Sequence, residues 1–201
     1  MMKEYLVKKI NKDTININSS DWENIKCADV NYFPWAGYAE NINTTVKLVH
    51  SDYGITVHFE TDEKPLVMKN TEDNSEIYQD SCVEFFFSIS CQDAYVNLET
   101  NPNGAILSGF GKDKITRKRI SIKKDMFFVE SKFDDKTWVL QYTVPHSFIE
   151  ECFGKKPDEL YGNFYKCGDK TGHEHYACWN PIEIKTPNFH VPEYFGKLIL
   201  G

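Results

Sequence analysis

Long hydrophobic runs are missing from this chain. Nowhere do about 18 apolar residues follow one another, so no membrane-spanning helix is encoded. A basic excess is missing too: 23 Lys and Arg face 30 Asp and Glu, for a net charge of −7. Nucleic acid and anionic membrane both need a cationic footprint, so neither is expected as a partner. There is no phosphate loop, no HExxH and no nucleophile motif. The first residues, MMKEYLVKKINKDT, contain no apolar segment of signal-peptide length. As it stands the chain reads as cytoplasmic, and as extracellular if a leader has been trimmed away. Low-complexity linkers and internal repeats are also absent.

What is present is a folded-domain composition, with 41% hydrophobic and 26% charged residues over 201 positions. That length suits one domain, residues 1–201, with a core that needs no staples. Six cysteines, Cys27, Cys82, Cys91, Cys152, Cys167 and Cys178, allow disulfides. Without a signal they read as reduced thiols; Cys82 and Cys91 are the pair to check for a bridge.

The most patterned stretch is Asp80 to Gly104, DSCVEFFFSISCQDAYVNLETNPNG. Val83, Phe85 and Phe87 alternate with Glu84, Phe86 and Ser88. Val96 and Leu98 alternate with Tyr95, Asn97 and Glu99. Ser90-Cys91-Gln92-Asp93 is a hairpin connection between the two strands. Pairing them gives one apolar face and one face carrying Glu84, Tyr95, Asn97 and Glu99, where function is expected.

Around this hairpin the chain reads as short strands. Tyr5, Val7 and Ile10 mark an edge strand, and Ser20 or Asp21 caps a short helix at Trp22. Residues 27–43 form an aromatic loop, with Tyr32, Phe33, Trp35 and Tyr38, whose rings must be packed or used. Hairpins follow over 45–60 and 127–144, with Trp138 on the core face. Strands are expected over 105–110, 162–166 and 196–200, and a helix over 148–153 ended by Gly154. Residues 168–194 are a long turn-rich segment, a length often tied to function. Seven cations lie between 111 and 125: Lys112, Lys114, Arg117, Lys118, Arg119, Lys123 and Lys124. They fit either an anion site or a solvated strand edge, and the edge is the preferred reading because basic edges block sheet-to-sheet aggregation. About ten strands with short connections predict an all-β, antiparallel β-sandwich with one or two short helices.

Three pieces resemble the family 9 carbohydrate-binding modules and their stand-alone relatives, which are related to DOMON-type domains. They are Asp80, Val83, Glu84, Phe85 and Phe86; the Tyr-x-Asn-x-Glu-x-Asn-Pro-x-Gly stretch over 95–104; and NFYKCGDKTGHEHYACWNPIEIKTPNFHVPEYFGKLIL over 163–200. The resemblance runs from about residue 25 to the end. It implies a β-sandwich that binds a sugar unit, often a glycan terminus, between two aromatic rings without catalysis. Carried over by position, the rings are Trp179 and Tyr78, and the hydroxyl-binding glutamate is Glu84. Asn97 lies in the strand that supplies polar contacts in relatives. Tyr78 stands where the family usually has Trp, and Tyr176 where it has Asn. No cofactor is required; structural calcium occurs in some relatives, and no ligands are assignable here.

Each residue has a plainer reading. Trp179 is a ligand-stacking ring or a buried loop anchor; Tyr78 a stacking ring or a cap on the core edge. Glu84 is a ligand contact or a salt-bridged glutamate, and Asn97 and Glu99 are contacts or exposed sheet residues. Glu84 with Glu99, or Asp80 with Glu84, would be the acid and base of a glycoside hydrolase, the alternative to binding. A further alternative is zinc on Cys167, His173, His175 and Cys178, although their spacing matches no standard finger. Haem would need axial Met or His, and Met68 and Met126 sit in poor contexts for it.

Overall fold

The computed structural model describes residues 2–90, 94–157 and 159–201. The elements run β1 (Glu4–Lys9), β2 (Ala28–Asp29), β3 (Thr44–His50), β4 (Gly54–Thr61), β5 (Cys82–Ser88), β6 (Tyr95–Thr100), β7 (Ile106–Gly111) and β8 (Lys118–Arg119). Then come α1 (Lys124–Phe127), β9 (Glu130–Phe133), β10 (Trp138–Pro145), α2 (His146–Phe153), β11 (Glu159–Cys167), β12 (Tyr176–Cys178) and β13 (Gly196–Leu200). Among the described residues no helix is long and apolar enough to cross a membrane.

The strands hydrogen-bond in the order β8-β7-β6-β5-β11-β13-β1-β3-β4-β10-β9, with β12 on β11 and β2 on β3. β1 is where this ribbon turns from one leaf of the sandwich to the other. Its first half, Glu4 to Val7, pairs with β13; Lys8 and Lys9 pair with β3. Both pairings are parallel, whereas all the other named pairs are antiparallel. The expected edge strand is therefore an interior one. Tyr5 and Val7 are buried, and Leu6, on the opposite face, is exposed. Parallel neighbours need long crossover connections, which this strand has because its partners are β13, at the far end of the chain, and β3.

The core lies between the leaves. Val83, Phe85, Phe87, Val96 and Leu98 supply one side; Val46, Leu48, Val57, Phe59, Leu140, Tyr142 and Trp138 supply the other. Phe59 of β4 meets Phe164 of β11 edge to face at 6.1 Å, joining the two leaves. α2 ends where expected: Gly154 takes φ +77°, and its N–H donates to the Glu150 carbonyl. The turn at Trp22 is a 3-10 helix, Ser20–Asn24, capped one residue earlier than expected. Asp21 N–H donates to Ser19 Oγ.

β5 and β6 are buried on both faces. The alternation holds in the register, with Glu84 opposite Glu99 and Phe86 opposite Asn97. Yet Glu84, Asn97 and Glu99 are each 3% exposed or less, so they are neither solvated nor exposed sheet residues. A second apolar layer covers this face, with Trp35 from the 27–43 loop and Ile182, Phe189, Val191 and Phe195 from the 168–194 segment. The hairpin connection at Cys91, Gln92 and Asp93 lies outside the described residues.

Lys166 of β11 is the one buried lysine among the described residues. Its Nζ lies 2.6 Å from Glu63 Oε2 and donates to His175 Nε2 at 2.9 Å. Ser81 Oγ donates to Glu63 Oε1 at 2.8 Å. His175 Nδ1 lies 2.6 Å from the His173 carbonyl; burial, then Lys166, hold the ring neutral, with its pKa down to about 4. Removing one partner strands a charge in low dielectric. Lys166→Met is therefore expected to cost roughly 3–5 kcal/mol of unfolding free energy in urea, and Lys166→Met with Glu63→Leu to recover most of it. A single variant as stable as the wild type would show that the pair carries no such constraint.

Candidate functional site

One cavity of about 250 Å³ opens on the second face of β5, β6 and β11. Its floor is Glu84, Glu99 and Cys167. Trp35, Tyr78, Tyr176 and Phe189 supply rings, while Lys114, Arg117, Arg119, Asp169, Pro187, Asn188 and His190 complete the lining.

The rings are fixed by the loops that carry them. Trp35 Nε1 donates to the Ile184 carbonyl at 2.8 Å, which ties the 27–43 loop to the C-terminal segment. Phe189 stacks on Tyr165 at 4.1 Å with an interplanar angle of 8°. Tyr176 stands edge-on to both Trp35 and Tyr38. The backbone N–H groups of Asp169 and Lys170 donate to the carbonyls of Tyr78 and Gln79, which ties together the two chain segments bearing Tyr78 and Asp169.

The floor sets the electrostatics. Glu84 and Glu99 face each other across β5 and β6, and like charges directly opposite are destabilising. Burial, then the neighbouring Glu99, holds the Glu84 carboxyl well above the usual range. Burial pushes Glu99 up to about 7, against the pull of Arg117 and Arg119. Each carboxyl has one neutral donor: Cys167 Sγ donates to Glu84 Oε1 at 2.9 Å, and Asn97 Nδ2 donates to Glu99 Oε1 at 3.0 Å. Burial raises Asp169 as well. His190 is held neutral by burial and by Arg117, whose Nη1 donates to its Nδ1 at 2.7 Å.

Of the residues expected from sequence, Tyr78 and Glu84 line the cavity. Asn97 lies one layer below, beneath Gly109, where an added Cβ would sit 2.7 Å from its Oδ1; it positions Glu99. Trp179 is elsewhere and is corrected to a core anchor. It is 4% exposed and packs on Phe164 at 5.5 Å. A Cβ on Gly196 would lie 2.4 Å from its ring. The zinc set does not assemble. Cys167 is on the cavity floor, His173 is exposed, and His175 faces Lys166. Cys178 Sγ donates to the Tyr32 carbonyl. Among the described residues only Cys82, Glu84 and Cys167 bring three ligand-type atoms within 4.8 Å of one another. Cys82 is a free thiol opposite Cys167, and Cys91, its expected partner, lies outside the described residues.

Calcium takes roughly six to eight oxygen ligands. The two buried carboxylates beyond the cavity are already engaged, Glu63 by Lys166 and Ser81, Asp80 by the amides of Asn70 and Asn101. Glu63, paired with a cation, does not fit that ion, whereas Asp80 takes these bonds on Oδ2 alone. Sequence reasoning missed Trp35, Tyr176, Phe189, Arg117, Arg119 and Asp169 as members of one site. Three flagged segments held them: the aromatic loop, the basic run and the long C-terminal segment.

A buried acid whose pKa is raised binds its proton more tightly folded than unfolded. Its contribution therefore falls as pH climbs from the unfolded value toward the folded one. For Glu99 that window runs from 4.5 to about 7. Unfolding free energy is expected to decline across it, and Glu99→Gln to flatten the decline. Urea midpoints at several pH values check this; an equally steep slope in the variant would overturn it.

The profile of carbohydrate-binding family 9 matches residues 16–200. No curated protein matches the sequence. Among solved structures, a candidate carbohydrate-binding protein from Bacteroides uniformis ATCC 8492 superposes with a TM-score of 0.86 at 26% identity, covering 100% of both chains. A family 9 module from Caldicellulosiruptor kristjanssonii is solved with glucose (TM-score 0.64, 16% identity, 99% of this chain and 96% of that one). A family 9 module from the same organism is solved with cellotriose (TM-score 0.67, 16% identity, 98% of this chain and 93% of that one). These last two share the β-sandwich fold. With nearly the whole length matched, the chain belongs to carbohydrate-binding family 9.

Proposed function

We propose that the chain binds carbohydrate without catalysis and takes a sugar unit, a glycan terminus, into the cavity over β5 and β6. One observation carries the reading: on a family 9 sandwich, aromatic rings and carboxyl groups line the same small cavity. A pyranose has C–H faces that pack on rings and hydroxyls that need both donors and acceptors. Tyr78 and Tyr176 are half-buried and keep free ring surface; Trp35 and Phe189 are pinned beside them. Glu84 and Glu99, carrying protons, donate to hydroxyl oxygens, and Asp169 and Asn188 add polar contacts. The cavity's 250 Å³ falls below the roughly 300–1,000 Å³ of pockets for drug-sized ligands and suits one or two sugar rings. The glucose and cellotriose held by the Caldicellulosiruptor modules are pyranoses of this class. The acidic balance of the chain supports a partner other than nucleic acid.

The raised carboxyl pair also raises hydrolysis as a second reading. Glycosidase carboxyls flank the scissile bond, whereas Glu84 and Glu99 rise side by side from adjacent strands of one surface. That placement favours binding. Turnover of a glycan, abolished by Glu84→Gln, would reverse the preference.

Titration of tryptophan fluorescence with mono- and oligosaccharides is expected to give a saturable change. Tyr78→Ala should weaken binding about tenfold or more, a loss of about 1.4 kcal/mol. Trp179→Ala is expected to leave the site alone and lower stability by roughly 3–5 kcal/mol. A variant at Trp179 that folds normally yet binds no sugar would overturn the assignment of the cavity.

A further inference from the structure

We propose that the bound sugar carries an acidic substituent, a carboxylate or a sulfate ester, held by the guanidinium groups of Arg117 and Arg119. The inference rests on the sugar-binding reading and narrows its ligand class. Three cations, Lys114, Arg117 and Arg119, line a cavity in a protein of net charge −7. None of them takes part in an ion pair among the described residues, where the pairs belong to Lys9, Lys124, Lys166, His175 and Lys197. The Arg119 guanidinium has no hydrogen-bond partner there, and Arg117 donates only to the neutral His190 ring.

The chain is shaped to put Arg117 at the cavity. Gly111 of β7 has no room for a side chain: a Cβ there would lie 2.4 Å from the Arg117 Cα. At Gly109 a Cβ would lie 3.2 Å from Arg117 Cδ, so the arginine stem runs along the glycine face of β7. The preceding turn is closed by Asp113, whose Oδ1 accepts from the N–H groups of Ile115 and Thr116. Asp113 thereby spends its charge on the backbone and leaves the arginine unpaired.

The floor acids do not fill this role for the arginines. Glu84 and Glu99 lie on the floor, with carboxyls that burial biases toward the neutral form. Burial also lowers the Arg119 pKa, the sign of a partly desolvated guanidinium that the more distant Glu99 does not fully offset. Neutral hydroxyls only solvate such a group. A carboxylate or sulfate neutralises it and matches its planar fork with two parallel hydrogen bonds.

The test is calorimetry with glucose, galactose, glucuronate, galacturonate, glucose 6-sulfate and inorganic sulfate, at low and high salt. At least one acidic sugar is expected to bind tenfold or more tightly than its neutral parent, with an advantage that shrinks in salt. Arg119→Gln, at an exposed position, should erase that advantage with the melting temperature unchanged; Arg117→Gln should do the same. Whether the uronates or the sulfate ester gain decides between the two substituents. Neutral sugars binding as tightly as the acidic ones would overturn the inference and leave sugar binding intact. Inorganic sulfate binding as tightly as glucose 6-sulfate would also overturn it, since the ring would then contribute nothing. A folded protein that binds none of the sugars would overturn both readings.

Discussion

Glu84 and Glu99 stand opposite each other on a pair of strands buried on both faces, and much of the architecture answers that placement. Two carboxylates there cannot both stay ionised. The surroundings respond with neutral donors from Cys167 and Asn97, with no ion pair, and with arginines held further out. Apolar loops then seal the face except above the acids themselves. The opening is left at the point where the sheet has groups that a solvent-like ligand can satisfy.

Strands and loops divide the work. The strands set the acids in register; a shift of one residue would move both carboxyls into the inter-sheet core. The rings come from segments with little regular structure, and each is held by a long-range contact. Trp35 is tied to Ile184, Phe189 to Tyr165, and the Asp169 segment to Tyr78. Such a site is largely preformed, so the ligand orders few groups on binding. Lys166, on the other face of β11 from Cys167, keeps its charge away from the cavity by pairing with Glu63. Adjacent residues on one strand thus support two separate electrostatic arrangements.

Period-two alternation made the fold and the floor legible in the sequence. It put Glu84, Tyr95, Asn97 and Glu99 on one face, and the register agrees. It could not reveal that this face has a roof, because the covering residues come from loops without periodicity, far away in the chain. For the same reason it could not choose between tryptophans. Trp179 and Trp35 both sit within two residues of a proline; the contacts with Phe164 and Gly196 decide that Trp179 fills the core. The basic run was read as a solvated strand edge, and β8 is indeed the terminal strand of the order. Alternation along that edge nevertheless turns Arg119 toward the cavity, so a strand edge and an anion site are compatible rather than exclusive. β1 misled because nothing in a short amphipathic strand announces two parallel partners.

The vertical order of charge has a consequence for how a ligand lies. Acids that burial biases toward the neutral form make the floor, and cations stand in the rest of the lining, with exposed Lys114 and Arg119 toward solvent. A uniform sugar gains from the first set alone. A sugar with hydroxyls at one end and a negative group at the other gains from both, and only in one orientation, because reversal would bury the anion at a floor with no cation while leaving the arginines bare. A charge buried without a partner is costly. Specificity would then come from what the floor rejects as much as from what the arginines attract.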